Sequence, residues 1–198
     1  MTDYTHQTEQ NQPIDDTYAD EVNAFRRDKD RFFAAARQSP IPHEQRHGAF
    51  GGLNYFPPDP AFRVAAEVVP FEHPNVVQMA TSTGDIRSQV RYAELRFRIE
   101  GRDLHLAGFT NPDEDEPHEL FIPFRDATSA HETYGAGRYL EVAIEHGADD
   151  SQTATIDFNL AYNPYCAYDV GYSCTLPPPE NTLTVPIVAG EKTYGSGH

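Results

Sequence analysis

Two stretches of this chain hold the residue types that chemistry uses. The first, RDATSAHETYGAGRY (Arg125–Tyr139), mixes Asp126, His131, Glu132 and Tyr134 with two glycines that let a backbone come close to something. An imidazole titrates near neutrality, so His131 is the candidate general base, with Glu132 and Asp126 as acid–base partners. Arg125, Tyr134 and Arg138 are candidate ligand-binding side chains. The alternative is a loop braced by an Arg138–carboxylate pair. No lysine and no following helix make this a phosphate-cradling loop. The second stretch, IDFNLAYNPYCAYDVGYSCTLPPPENTLTVPIVAGEK (Ile156–Lys192), holds both cysteines. Its Asn159, Tyr162 and Asn163 place amides and phenols in close order, as ligand donors or as a self-satisfied polar cluster.

Cys166 and Cys174, eight apart, leave three readings open. They are small buried apolar side chains, a disulfide across a tight loop, or a functional pair. A thiolate nucleophile needs a basic neighbour, for which His131 is the candidate partner of Cys166. Structural zinc sites space their ligands by two to four residues, so this pair predicts no metal. His43 and His47 sit among prolines and a glycine and read as linker. Asp113–Glu116 reads as a solvated acidic loop. No motif identifies a cofactor, which stays unknown.

The elements that must position these residues are mostly strands. A polar, aperiodic N-terminus (residues 1–17) reads as a disordered tail. Val22, Phe25, Phe32 and Ala36 then recur at helical spacing, predicting an amphipathic helix over 18–37, stopped by Ser39-Pro40-Ile41-Pro42 and packed through its phenylalanines. From Phe50 onward the chain alternates. Runs at Leu53–Phe56, Phe62–Val68, Asn75–Ala80, Ala93–Ile99, Leu104–Phe109, His118–Phe124, Arg138–His146, Thr153–Leu160 and Leu183–Ile187 predict about nine strands. Short turns, such as those at Gly84 and Gly101, imply antiparallel pairing. Such a chain is expected to close into a mainly β barrel, or a barrel-like sandwich, behind one helix, in a single domain over 18–198.

Composition bounds the partners. The 198 residues carry 31 acidic against 15 basic side chains, a formal net charge of −16, and only two lysines, Lys29 and Lys192. Such acidity with little lysine is the pattern of a protein working in concentrated salt, where screening over about 3 Å removes self-repulsion. It excludes a nucleic-acid role, which needs clustered Lys and Arg. No apolar run of about 18 residues spans a membrane, and the N-terminus has no signal-peptide pattern, so the expected location is the cytoplasm. Oligomeric state is not legible.

Four segments resemble a family known only as domain of unknown function 1684: Phe25–Pro42, Phe50–Val64, Phe121–Glu141 and Ile156–Lys192. The resemblance implies one helix plus β-structure and no mechanism. It also implies glycine where Ala130 stands; if that position has positive φ, alanine costs about 1 kcal/mol there. The sequence therefore predicts a small-molecule-binding barrel whose pocket joins the His131 loop to the Asn159–Cys174 segment. The alternative is an enzyme, hydrolase-like, that uses His131 with Cys166 or a tyrosine.

Overall fold

The computed structural model describes residues 16–46, 50–114, 116–149 and 151–195. Apart from residues 16 and 17, the expected tail lies outside them.

Helix α1 (Asp16–Ala35) leads. Its buried face is not the one the phenylalanine spacing predicts. Val22, Arg26 and Phe33 are buried, whereas Phe25 and Phe32 are 51% and 41% exposed. The faces differ because Arg26 and Lys29 point inward, where their polar ends find carbonyl and carboxylate partners. At the helix exit, Arg46 of the single turn α2 (His43–Arg46) donates to the carbonyls of Ile41 at 2.5 Å and Ala36 at 2.7 Å. A basic side chain thus satisfies a carbonyl just past the end of α1. His47 lies outside the described residues.

The rest is one antiparallel sheet of seven strands in the order β5-β4-β3-β2-β1-β7-β6. They are β1 (Arg63–Ala80), β2 (Ile86–Ile99), β3 (Arg102–Thr110), β4 (Glu119–Phe124), β5 (Arg138–Ala143), β6 (Glu145–His146) and β7 (Gln152–Asp157). The sheet is not closed into a barrel, and the nine-strand expectation is corrected in four places, one of them the run Arg138–His146, which divides at Ile144 into β5 and β6. The runs Phe62–Val68 and Asn75–Ala80 are one continuous strand, β1. Leu53–Phe56 makes only an isolated bridge, Tyr55 to Glu191. Leu183–Ile187 alternates in burial but lies in no ladder. Strands β5 and β6 sit at opposite edges of the sheet, yet only Ile144 separates them in sequence. The edges turn toward each other without β5 pairing to β7.

The core lies on one face of the sheet. It joins Leu95 and Phe97 of β2, Leu106 of β3, Leu120, Ile122 and Phe124 of β4 and Leu140 of β5 to Leu183, Val185 and Ile187. The Leu183–Ile187 run therefore fills the concave side as an extended plug. Just before it, Asn181 is inserted where β3 and β4 splay apart and retain one pair, Phe109 with Phe121. Its side-chain amide replaces the missing ladder. Oδ1 accepts from Ala107 N at 2.8 Å, and Nδ2 donates to the carbonyls of Ala107 (2.9 Å) and Pro123 (2.8 Å).

Two irregularities give the sheet a second working face. The β1–β2 register shifts between Pro70 and Asn75, around two prolines that cannot donate to a ladder. The β2–β3 register shifts between Arg91 and Ala93. On β2 the one extra residue, Tyr92, moves the side chains beyond it to the other face, while on β1 the four residues 71–74 stand opposite it. Beyond the bulges Met79, Val77, Arg87 and Gln89 therefore share a face with Phe109 and Phe121, opposite the core.

Candidate functional site

The residues picked out by chemical type fall into two places. The first is a buried polar knot. Asp126 and Arg138, each with a side chain 1% exposed, form an ion pair at 2.9 Å. The Arg138 guanidinium also donates to the carbonyls of Ile187 (2.9 Å), Glu191 (3.2 Å) and Ala189. The other Asp126 oxygen accepts from Ile187 N at 3.1 Å, Thr128 N at 2.8 Å and the Thr128 hydroxyl at 2.6 Å. A buried segment without a ladder needs partners for its backbone groups; this pair supplies them from Ile187 to Glu191, while Leu183 N and Val185 O bond the backbone of Arg125 and Ala127. Burial pushes the Arg138 guanidinium below its ordinary value, and the Asp126 carboxylate opposes that shift.

Glu191 extends the knot toward α1. Fully buried, it accepts from Lys29 Nζ at 2.5 Å, Tyr168 OH at 2.5 Å and Asn163 N at 2.7 Å. Burial raises the Tyr168 phenol well above its ordinary value, and the Glu191 carboxylate adds to this. Arg26 completes the docking of α1, donating to Phe56 O at 2.8 Å and Asn159 O at 3.2 Å with its guanidinium 4.5 Å from the Tyr55 ring centre. The Asn159 side chain holds Asp59 through Oδ1 (2.8 Å, from Asp59 N) and Nδ2 (2.8 Å, to Asp59 O), and also reaches Tyr18 OH at 2.9 Å. Tyr18 in turn donates to Asp157 at 2.8 Å.

The second place is a cavity of about 690 Å³ on the other face of the sheet. Its floor is the bulge-directed face: Arg87 and Gln89 of β2, Phe109 of β3, Glu119 and Phe121 of β4, and Tyr139 and Glu141 of β5. Its cover is the Tyr162–Thr175 segment, anchored by isolated bridges to β5 (Tyr139 with Tyr162) and to the residue after β1 (Thr81 with Thr175). Arg87 ties the cover down through Ser173 O at 2.6 Å, and the Tyr139 hydroxyl donates to Thr175 O. Tyr162 donates to the Glu141 carboxylate. Burial raises the Glu141 carboxyl above its ordinary value; the Tyr162 hydrogen bond opposes this and the neighbouring Glu119 adds to it.

Of the sequence candidates, the structure brings Tyr162 to the cavity and Tyr134 and Cys166 to the apolar cluster behind it, with Tyr139 and Cys174. Tyr134 OH lies 3.8 Å from Cys166 Sγ, and Cys166 N donates to Cys174 Sγ at 3.2 Å. Both cysteines are free and buried. Burial pushes the Cys174 thiol up to about 11 and the Tyr134 phenol up to about 12. The remaining candidates lie elsewhere. Asp126 and Arg138 are in the knot, and Asn159 is at the Asp59 turn. Asn163 holds Lys192 O at 2.8 Å and Arg125 joins its backbone to Asn181 and Leu183. His131 and Glu132 are exposed, with Glu132 3.5 Å from Lys192 Nζ. Among the described residues no three His, Cys, Asp or Glu side chains group as metal ligands, and no helix is long and apolar enough to cross a membrane.

The floor residues escaped the sequence reading, although a signal for them exists. Ala107-Gly108-Phe109 and Leu120-Phe121-Ile122 are apolar at consecutive positions, which marks strands covered on both faces.

No curated protein matches the chain. A solution NMR structure of an uncharacterized protein from Haloarcula marismortui is similar at 42% identity, with a TM-score of 0.69 over 90% of this chain and 95% of that one. The family described as "Protein of unknown function (DUF1684)" matches residues 48–192. The chain with the plugged, bulged sheet described above belongs to that family.

Proposed function

We propose that this protein binds a small molecule in the cavity between the second face of the sheet and the Tyr162–Thr175 cover. The observation that carries the reading is the cavity itself: about 690 Å³, with aromatic side chains below and above and a few polar groups aimed inward. That is the size and make-up of small-molecule sites. The cover is pinned at Tyr162 and Thr175 by bridges to the sheet and at Tyr168 by Glu191, so the cavity is held preformed. The acid excess and the two lysines support work in concentrated salt, and two free thiols held close together support a reducing compartment such as the cytoplasm.

Mass spectrometry of the protein purified in high salt without denaturation tests the reading. A retained small molecule is expected, and Gln89→Trp, which fills the cavity from β2, removes it without unfolding the chain. Retention of the same molecule by the filled variant overturns the assignment of the site.

A further inference from the structure

We propose that the cavity selects an organic cation, an amine or quaternary ammonium group on a compact apolar body; this rests on the small-molecule reading above. The charges and the rings of the cavity both point that way. Three carboxylates line it, Glu114, Glu119 and Glu141, against one cation, Arg87. The Arg87 guanidinium is already engaged with Ser173 O at 2.6 Å, where it fastens the cover. Among the described residues, none of the three carboxylates has an ion-pair partner. Glu119 and Glu141 project from paired strands onto the same face, where neighbouring like charges repel. A cation between them relieves that repulsion. A neutral ligand leaves it in place, and an anion adds to it.

The rings supply the other half of the recognition. Phe121 and Tyr139 meet edge to face at 4.9 Å, Tyr139 and Tyr162 at 5.8 Å, and Tyr165 and Tyr172 at 5.3 Å. Edge-to-face pairs turn ring faces in several directions, and the negative face of a ring attracts a cation laid over it. The chain already uses one of these rings so: Lys29 Nζ lies 4.8 Å from the centre of Tyr162. Concentrated salt screens exposed charges at this range, whereas contacts inside a partly buried cavity are screened much less.

The test is NMR titration of the whole protein with four probes: choline, tetraethylammonium, the neutral choline isostere 3,3-dimethylbutan-1-ol, and benzoate. The two cations are expected to shift backbone signals of Tyr162–Thr175, Phe121 and Glu141. Choline should bind at least tenfold tighter than its isostere, and the pair Glu119→Gln with Glu141→Gln should abolish that preference while signals of the plug stay in place. If the isostere or benzoate binds at the same signals as tightly as choline, the cation proposal falls and the small-molecule site stands. If no probe moves those signals, the cation proposal falls; if the purified protein also retains no small molecule, the site reading falls with it.

Discussion

The knot and the cavity draw on the same alphabet of side chains for opposite ends. In the knot, Asp126, Arg138, Glu191 and Lys29 point at one another and at backbone groups, and nearly every polar atom has a partner within the chain. In the cavity, Glu119, Glu141 and four tyrosines border open space, and the Glu141–Tyr162 hydrogen bond ties a floor carboxylate directly to the cover. Chemical type therefore does not distinguish a site from a brace. What distinguishes them is whether the polar groups have already been satisfied, and the knot is satisfied because it solvates a buried strand-like plug that has no ladder.

The contrast is broken most forcefully at Arg138. Arg138→Met leaves Asp126 and three carbonyls buried without their donor, at an expected cost of about 3–5 kcal/mol. Urea unfolding measures it, and a loss below about 1 kcal/mol would show that the plug does not depend on the pair. Next comes Glu191→Gln, which removes the charge facing Lys29 and weakens two further hydrogen bonds. About 2 kcal/mol is expected, with faster amide exchange along α1 and unchanged cavity signals. Ala130 gives a smaller effect of the opposite sign. It has φ of 66° in the loop leading to Arg138, a conformation that disfavours a side chain. Ala130→Gly should stabilise by about 1 kcal/mol, read as a higher urea midpoint.

The smallest effect sharpens the cavity side. Glu141 faces Tyr162, Glu119 and Lys29, and its pKa is raised in the folded protein. A raised carboxyl contributes stability that is fully present below its unfolded pKa and lost as pH rises through the folded value. Glu141→Gln should therefore remove a shallow fall in stability over that window. In the unmodified protein, cation binding should weaken as pH drops through the same window, because the carboxylate becomes neutral. Thermal melts and choline titrations across pH 4–7 follow both; a flat binding profile would separate Glu141 from the ligand.

Much of the fold is legible in the sequence. The helix, the hairpin turns at Gly84 and Gly101 and most strands follow from spacing alone. The barrel does not, because alternation reports one-sided burial and not hydrogen-bond partners. Leu183, Val185 and Ile187 alternate as well as any strand, yet their few backbone bonds go to the loop at Arg125 and Ala127 and to the Asp126 and Arg138 side chains, and Pro186 among them already lacks a ladder donor. The site was half legible. Tyr162 and the cysteine loop stand out as unusual sequence, whereas the floor depends on the bulge at Tyr92, which turns Arg87 and Gln89 to a new face, and spacing counted without it puts them on the wrong side. The Arg138–carboxylate brace, the alternative reading of the His131 loop, is what the structure contains.

The scarcity of lysine gives the helix an accidental reporter. Both lysines border the C-terminal segment: Lys29 holds Glu191 with its side chain 15% exposed, and Lys192, at 37%, lies beside Glu132. An amine-acylating reagent should modify Lys192 first. Lys29, held by Glu191, reacts faster when α1 lifts away, so the ratio of the two acylation rates, read by peptide mapping, reports helix undocking without an engineered label.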